Sequence, residues 1–409
     1  MTDRRTILVR VSGRDRPGIT AGLLDVLAGE DAEVYDMEQV VVRERLTLDV
    51  LISVPAGSDV LKELLFYGWE ADIHIDFEVV ESRSQRSALP RFVVTVIGQG
   101  LPPRPLQAVT QAIADGGGNI DRIVRLSRYP VVSYEFVIVD GDLDAMRRHL
   151  VQASRDHGVD VAIQRESLER RAKRLVVIDV DSTLIEDEVI ELLAEEAGCR
   201  EEVAEITERA MAGELDFEAA LRSRVALLEG LPVDAVERVK ERVTLTPGAR
   251  TFTRTLRRLG FRVALVSGGF TVFTDLLRER LDIDHAYANE LGVADGKLTG
   301  EVVGPVVDRR GKADILRRVA EQEGVALEQT VAVGDGANDL DMLAAAGLGI
   351  AFNAKPAVRE AADTALSVPF LDAVLFLLGI RREDVEAADE EDPSVERGEP
   401  VPVPGTPPM

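Results

Sequence analysis

The 409-residue sequence predicts an α/β protein: a doubly wound parallel sheet with a helical cap, preceded by two smaller βαββαβ modules. Three observations predict this architecture. Apolar strands alternate with amphipathic helices in the C-terminal half, which is typical of a parallel sheet covered by helices. One long, mostly helical stretch interrupts that alternation, and connections of such length usually form a subdomain. The N-terminal half shows one order of strand and helix patterns twice.

The first module spans residues 1–85. Its strands are short runs of apolar residues, its helices show apolar residues at three- and four-residue spacing, and a turn containing Gly and Pro separates the first strand from the first helix. The βαββαβ order predicts a ferredoxin-like unit. The predicted elements, in that order, cover residues 6–12, 19–27, 33–42, 46–54, 60–67 and 73–80.

The second module spans residues 88–168 and repeats the same order, so the two modules form a tandem repeat of a unit of roughly 80 residues. A loop rich in Gly and Pro follows its first strand. The predicted elements cover residues 92–97, 106–114, 120–126, 131–139, 143–154 and 159–164.

The third block spans residues 174–382 and predicts a Rossmann-like doubly wound parallel sheet. Its helical cap covers about residues 188–250. The tail, residues 383–409, contains nine acids and one base and ends in a Pro-rich segment, a composition that predicts disorder. The predicted strands cover residues 174–178, 262–266, 330–333 and 349–352.

Composition excludes several classes of protein. The formal net charge of −25 disfavours nucleic acid and anionic membranes as partners. The single cysteine, Cys199, excludes a disulfide framework and a cysteine-rich zinc site, and none of the four histidines lies near an acidic or Gly-rich motif. There is no signal-peptide pattern and no apolar run near the roughly 20 residues that span a bilayer, so we expect a cytoplasmic protein.

The most informative stretch is Asp179-Val-Asp181-Ser-Thr-Leu-Ile-Glu-Asp-Glu188, which follows the apolar run at residues 175–178. Two carboxylates two residues apart on extended chain point to the same side, at the edge where such sheets bind ligands. Their repulsion is relieved by a cation or a proton between them, which suits a Mg²⁺ site with one nucleophilic carboxylate. A solvated acidic loop or a helix cap is the alternative interpretation.

Three further motifs occur in the third block. Ser267-Gly268-Gly269 ends a predicted strand and offers a hydroxyl and backbone N–H groups to an anion. Lys312 lies at the start of a predicted helix, where a bound anion would offset its unfavourable position. Asp335 and Asp339 flank small residues after another apolar strand, a pattern that suggests metal ligation. Taken singly, these could be a Gly-rich turn, a solvated lysine and an acidic turn.

Together and in this order, the motifs resemble the haloacid-dehalogenase-like phosphohydrolase family, and within it the phosphoserine phosphatases. The final Glu188 of the first motif and the cap segment Met211-Ala-Gly-Glu-Leu-Asp-Phe217, continuing to Arg224, are similar to the latter. The resemblance implies hydrolysis of O-phospho-L-serine with Mg²⁺, the last step of serine biosynthesis.

The resemblance also implies a role for each motif residue. Asp179 is the nucleophile, and Asp181 donates a proton to the leaving serine oxygen and then activates water. Glu188 binds the substrate ammonium, and Arg224 binds its carboxylate. The metal is held by Asp179, the Asp181 carbonyl and Asp335, with Asp339 in an outer position. The phosphoryl oxygens are held by Ser267, Gly268 and Lys312. In the cap, Met211 and Phe217 close over the substrate, and Asn338 orients the substrate or the metal-bound waters.

The two N-terminal modules resemble ACT domains, small regulatory units that often bind amino acids between paired copies. The loop from Gly13 to Gly18 is similar to the family's ligand loop, with Asp15 as a candidate acceptor for an ammonium and Gly18 at the turn. A structural turn is the alternative. The second module has neither the Asp nor the Pro-Gly pair, and the alternative for this module is a role in dimerisation only. The resemblance implies a homodimer and an amino-acid effector such as serine.

The sequence is compatible with two other hypotheses. One is a phosphatase or phosphotransferase for a different small phosphomonoester, with the same nucleophile. It would leave the charges of Glu188 and Arg224 unpaired. The other is an amino-acid sensor whose phosphatase half has lost its activity. The presence of Asp179, Asp181 and Lys312, among other motif residues, disfavours that hypothesis.

Overall fold

The computed structural model describes residues 4–80, 89–211, 214–393 and 395, without the side chain of Met211. The chain divides into two compact units, residues 1–88 and 89–409. The first is the N-terminal module, and the second combines the other module with the large sheet. The α/β fold class predicted from the sequence is confirmed.

The first module has the predicted βαββαβ order, and its antiparallel sheet has the strand order β2-β3-β1-β4. Along β1 buried residues alternate with less buried ones, so the two helices cover one face of the sheet. Gly18 precedes the first helix with φ +97°, a conformation that glycine adopts without strain. The elements are β1 (Arg4–Arg14), α1 (Ile19–Gly29), β2 (Glu33–Val42), β3 (Arg45–Pro55), α2 (Val60–Glu70) and β4 (His74–Val79).

The second module repeats this topology, with the strand order β6-β7-β5-β8. Its first strand differs from that of the first module, because every residue after Arg91 is buried. Such a strand has both faces of its sheet covered. The elements are β5 (Arg91–Gly98), α3 (Pro103–Asp115), β6 (Asn119–Ser127), β7 (Val132–Val139), α4 (Leu143–His157) and β8 (Asp160–Arg165); the short helix α5 (Leu168–Arg171) follows.

The large sheet has seven strands in the order β12-β11-β10-β9-β13-β14-β15. All neighbours are parallel except β11 and β12, which form an antiparallel hairpin that the sequence patterns did not predict. The strands are β9 (Leu175–Ile178), β10 (Arg262–Phe270), β11 (His285–Ala294), β12 (Lys297–Val303), β13 (Thr330–Gly334), β14 (Gly349–Phe352) and β15 (Thr364–Leu366).

Four helices of the predicted cap lie between β9 and the next core helix. The segment that leads into the cap and the segment that leads out of it lie next to each other. Glu186 N–H donates to the Thr244 carbonyl at 3.0 Å where the two segments meet. The cap helices are α6 (Val189–Ala197), α7 (Arg200–Met211), α8 (Phe217–Ala226) and α9 (Val233–Arg242). The core helices are α10 (Ala249–Arg258), α11 (Thr271–Leu281), α12 (Arg309–Gln322), α13 (Leu340–Ala345), α14 (Pro356–Ala361), α15 (Val374–Leu377) and α16 (Arg382–Glu391).

Helix α16 corrects the prediction that disorder begins at residue 383. The helix buries Val385, and Asp389 accepts two hydrogen bonds from the Arg254 guanidinium at 3.0 and 2.6 Å. Tertiary ion pairs thus order a segment whose composition alone favours disorder. Of the remaining tail, only residues 392, 393 and 395 lie within the described structure. Within the described chain, no helix has the length and apolar character needed to cross a membrane.

Candidate active site

Two acidic turns meet at the carboxyl edge of the large sheet. Strand β9 is completely buried and ends directly before Asp179, and its neighbour β13 ends directly before Asp335. The Asp179 N–H donates to the Val333 carbonyl at 2.9 Å, which continues the pairing between these parallel strands. Parallel neighbours bring their carboxyl ends to the same edge, so the two motifs, far apart in sequence, lie side by side.

A buried lysine joins the two turns. Lys312 Nζ lies 2.6 Å from Asp179 Oδ1 and 2.7 Å from Asp339 Oδ1. Burial lowers the pKa of Lys312, but these two carboxylates outweigh it and raise the pKa above its ordinary value, so the ammonium stays charged. Burial raises the pKa of Asp179, as does Asp339, while Lys312 opposes both. One ammonium therefore holds the nucleophile candidate in a fixed orientation.

Three carboxylates form a candidate metal site at this edge. Asp179, Asp335 and Asp339 each offer an oxygen, and these oxygens lie within 4.8 Å of one another. Burial, followed by the charge of Asp339, raises the pKa of Asp335 to about 6, and the Thr183 hydroxyl donates to Asp335 Oδ1 at 3.2 Å. Lys312 supplies one positive charge against three carboxylates. A hard divalent cation fits this all-oxygen set of ligands and would balance the remaining negative charge.

Asp181 lies where the cap meets the sheet. Its Oδ1 accepts from the Val189 N–H at 2.9 Å, and its Oδ2 accepts from the Ser267 hydroxyl at 3.0 Å. Burial raises the pKa of Asp181, although both hydrogen bonds lower it. A carboxyl with a raised pKa, held by two elements, is suited to carrying a proton during the reaction.

The Ser267-Gly268-Gly269 turn packs closely against its neighbours. The Gly269 N–H donates to Ser267 Oγ at 2.7 Å. A Cβ atom on Gly269 would lie 2.8 Å from Asp181 Oδ2, and one on Gly268 would lie 2.9 Å from the Phe217 ring. Glycine is therefore required at both positions by close approach, of the Asp181 carboxyl in one case and of the Phe217 ring in the other.

The cap contributes one acid and one base to the cavity. Ser182 Oγ donates to Glu188 Oε1 at 2.8 Å, and burial raises the pKa of Glu188 to about 7, with Asp181 adding to the effect. Burial lowers the pKa of Arg224, although the negative charge of Glu188 raises it. Arg224 donates only to the Ala220 carbonyl and the Thr207 hydroxyl, and it has no ion pair with any described residue. Its guanidinium remains available for a carboxylate ligand.

A cavity of about 640 Å³ brings most of the predicted residues together. Ser267, Lys312 and Asp339 are buried and do not line the cavity, but they are hydrogen-bonded to its lining residues Asp181, Asp179 and Gly336, respectively. Helix α7 ends at Met211, but the orientation of that side chain lies outside the described residues. The predicted residues that line the cavity are Asp179, Asp181, Glu188, Phe217, Arg224, Gly268, Asp335 and Asn338.

Sequence reasoning missed several residues of the site. Arg309 and Lys355 line the cavity, and Arg309 Nε also donates to Asp341 at 2.7 Å. No local pattern distinguishes them from ordinary surface cations, because only the tertiary fold brings them to the cavity. The hydroxyls of Ser182 and Thr183, in contrast, lie within the first acidic motif and could have been included as partners of Glu188 and Asp335.

The proposed regulatory loop of the first module has Asp15 and Gly18 on its surface. The Asp15 N–H donates to the Glu44 carbonyl at 2.8 Å, while among the described residues beyond its chain neighbours and its own helix backbone, no atom lies within 4 Å of the Cβ position of Gly18. The loop is thus held by the hairpin and open above Gly18. Ligand binding there stays a prediction.

Comparisons with known proteins agree with this geometry. The haloacid dehalogenase-like hydrolase family matches residues 176–344, and ACT domain families match residues 5–78 and 91–164. The chain is 53% identical to the phosphoserine phosphatase of Streptomyces coelicolor, over 95% of both chains, and 48% identical to that of Mycobacterium tuberculosis, over 98% of this chain and 99% of the relative.

Solved structures similar to this chain also include phosphatases and hydrolases of the same family. A probable phosphoserine phosphatase from Vibrio cholerae is 38% identical with a TM-score of 0.57, and it matches 73% of this chain and 88% of its own. A haloacid-dehalogenase-family hydrolase from Salmonella enterica serovar Typhi is 30% identical with a TM-score of 0.63, over 70% of this chain and 98% of its own.

Proposed function

The chain belongs to the phosphoserine phosphatase family, and on that premise we propose that it hydrolyses O-phospho-L-serine to L-serine and phosphate with Mg²⁺, in the cytoplasm, as the last step of serine biosynthesis. The observation that carries the choice of substrate is the pair of opposite charges, Glu188 and Arg224, in the cavity that also contains Asp179. The substrate has the complementary ammonium, carboxylate and phosphoryl groups. A phosphomonoester without the amino-acid head would leave both cap charges unpaired.

The reaction proceeds in two displacements. An Asp179 carboxylate oxygen attacks phosphorus, the bond from phosphorus to the serine oxygen breaks, and that oxygen takes its electron pair and a proton from Asp181. Asp181 then removes a proton from water, the hydroxyl attacks phosphorus, and the bond to Asp179 breaks. Support for these roles comes from the buried contact of Asp179 with Lys312 and from the raised pKa of Asp181.

The phosphoryl oxygens bind at the junction of two elements. Ser267 and Gly268 approach from the end of β10, and Lys312 approaches from α12. Asp179 and Asp335, with the Asp181 carbonyl, would hold the metal, and Asp339 would lie in an outer position; when bound, the metal offsets the negative charge of the phosphoryl oxygens. Phe217 closes the cap over the substrate, and Asn338 orients it from the loop after β13.

The deciding experiment is phosphate release from L-phosphoserine, with Mg²⁺ or with EDTA. We expect metal-dependent turnover that Asp179→Asn abolishes and that Arg224→Ala reduces roughly 100-fold or more, since a buried charge pair with the substrate is lost. The matched control is Arg222→Ala on the same helix, because Arg222 pairs with Glu218 at the surface. Phosphothreonine and phosphate esters without an amino-acid head serve as competing substrates.

Equal turnover of many phosphate esters, insensitive to Arg224→Ala, would retain Asp179 as nucleophile and reject phosphoserine as the substrate. Absence of turnover would favour the sensor hypothesis.

We further propose a homodimer that forms through the first module and a zwitterionic amino-acid effector at its Asp15–Gly18 loop. Strand β2 is an edge strand whose ten residues are all exposed, among them six large apolar ones. An exposed apolar edge of this length favours pairing with a second copy. Val40→Lys should shift the sedimentation of the protein to that of a monomer, whereas Ile123→Lys on β6 should not. Unchanged sedimentation of Val40→Lys would reject this interface.

The effector proposal requires a separate measurement. Arg224→Ala is the suitable background, because L-serine is also the proposed product and this variant removes the cap residue that would bind its carboxylate in the cavity. Calorimetric titration with L-serine should detect binding that Asp15→Asn abolishes. Asp31→Asn, in another exposed turn of the same module, is the control and should bind serine as before. Equal binding by both variants would place the effector elsewhere.

A further inference from the structure

The backbone of β10 leaves regular pairing with β11 where the phosphoryl-binding turn begins. Val266 pairs with Tyr287 and Phe270 pairs with Asn289, so three residues on β10 lie opposite one on β11. The three are Ser267, Gly268 and Gly269. Such a bulge removes the backbone partners that a ladder would supply, and the freed polar groups then need other partners.

Asn289 is the side chain that satisfies one of these groups. It is 1% exposed, and its Nδ2 donates to the Gly268 carbonyl at 2.8 Å. Its Oδ1 accepts from the Val307 N–H at 2.7 Å. The orientation of the amide is determined by these partners, because a carbonyl can only accept and an N–H can only donate.

The two bonds connect the two structures that supply phosphoryl contacts. Gly268 belongs to the turn, while Val307 directly precedes Asp308, whose Oδ1 accepts from the Gly311 N–H at 2.7 Å and caps α12. Lys312 lies in the first turn of that helix. The Gly268 Cβ position lies 3.8 Å from the Val307 carbonyl oxygen, so the turn and the helix start are also in close contact.

We infer that Asn289 is a positioning residue for phosphoryl transfer: its amide fixes the Gly268 turn relative to the helix that carries Lys312. The inference rests on the proposed phosphatase function. Asn289 does not contact substrate itself. It acts by holding two groups from separate elements at a constant spacing, and small displacements of such groups cost about 100-fold in rate.

Two variants test the inference. Asn289→Leu has the same branching but neither hydrogen bond, and we expect kcat/KM for phosphoserine to fall about 100-fold. Inhibition by inorganic phosphate, which reports on the phosphoryl site without the serine moiety, should weaken about tenfold. The control is Thr253→Val, which removes a buried hydrogen bond from Thr253 Oγ1 to the Ala249 carbonyl in α10. It should leave both quantities within twofold of the unchanged enzyme.

Asn289→Asp gives a pH-dependent readout, which is measured below the thermal midpoint of the variant at each pH so that only folded enzyme contributes. A protonated carboxyl reproduces both bonds, with its O–H donating to Gly268 and its carbonyl accepting from Val307. The ionised carboxylate can only accept, and it faces the Gly268 carbonyl. The kcat/KM of this variant, divided by that of the unchanged enzyme, should therefore rise at least fivefold from pH 8 to pH 5.5. The ratio cancels titration of Asp181, Glu188 and Asp335, which both enzymes share.

The outcomes separate the inference from the proposed function. If the unchanged enzyme does not hydrolyse phosphoserine, the function fails. If it does, but Asn289→Leu keeps its kcat/KM and its phosphate inhibition, or only its thermal midpoint falls, the positioning role is rejected. Should Asn289→Leu not fold, Asn289→Asp at pH 5.5 retains both bonds, and a pH-independent ratio for that variant would also overturn the inference.

Discussion

The two ACT modules share one topology but differ in what covers their sheets. Buried residues alternate along β1, whereas β5 is buried from Phe92 to Gly98 without interruption. The first module forms a compact unit by itself, and the second belongs to the unit that contains the large sheet. The difference is visible in sequence: β1 mixes arginine and serine with apolar residues, and β5 is a nearly continuous apolar run, which is typical of sheets buried on both faces.

The second module is joined to the catalytic sheet through both apolar and polar contacts. Ile97 and Leu126 belong to one hydrophobic cluster with residues 371 and 373–377. Asp160 Oδ2 accepts from the Ser367 N–H at 2.6 Å, and Gln164 Nε2 donates to the Leu377 carbonyl at 3.0 Å. The second module is therefore part of the catalytic unit, whereas the first module is a unit by itself.

Truncation is the strongest test of this difference. Deletion of residues 1–88 should leave kcat and the thermal midpoint nearly unchanged. Deletion of residues 1–166 should lower the midpoint by roughly 10 °C, because several apolar side chains, each worth about 1.5–3 kcal/mol when buried, become exposed. Thermal unfolding of the two truncated proteins, with turnover measured on each, checks the prediction. Equal midpoints would show that the second module is as separable as the first.

A reciprocal exchange tests the same difference at one position. Ile97 and Ser12 occupy equivalent positions, each paired with the first residue of the last strand in its module. Ile97→Ser should destabilise the protein by about 3 kcal/mol, since it leaves a cavity and buries a hydroxyl. Ser12→Ile changes an exposed residue and should stay within about 0.5 kcal/mol. Urea unfolding measures both, and similar losses for the two variants would contradict the assignment of the covered face.

The sequence predicted best where local pattern and tertiary role coincide. Strands at residues 174–178 and 330–333 are short apolar runs that end at carboxylates, and the structure places Asp179 and Asp335 side by side as expected. Helix α16 was missed because its order comes from distant arginines such as Arg254. Arg309 and Asn289 were missed because only the fold brings them to the site.

A third test concerns the polar contact between the second module and the catalytic sheet. Asp160→Ala removes the acceptor of the Ser367 N–H and should cost about 1–3 kcal/mol, the penalty for a buried donor without a partner. The equivalent first residue of β4 is His74, which is exposed, and His74→Ala should cost less than about 0.5 kcal/mol. Urea unfolding measures the loss of stability in both variants, and equal losses would contradict the prediction.

Asp160→Asn adds a pH dependence to this test. Burial raises the pKa of Asp160, although Ser367 and Arg359 oppose it. The pKa of this carboxyl is higher in the folded protein than in the unfolded chain, so the folded protein binds more protons. The free energy of unfolding therefore falls as pH rises from the ordinary pKa near 4 through the raised pKa. The free energy of unfolding of Asp160→Asn, relative to the unchanged protein, should therefore be higher at pH 7 than at pH 4. A pH-independent difference would contradict the assigned shift.

The smallest expected effect concerns the ion pairs that hold helix α16 next to the edge strand β6. Helix α16 reaches β6 through Glu383, which lies 3.5 Å from Arg125, and Asp389 anchors the same helix to Arg254 and Arg258. These pairs are partly solvated, so Asp389→Asn should cost below about 1 kcal/mol, and the loss should shrink in 0.5 M salt. Glu390→Gln, on an exposed position of the same helix, is the control. A salt-independent loss would indicate that α16 is held by apolar packing around Val385 and that ion pairs contribute little to covering this edge.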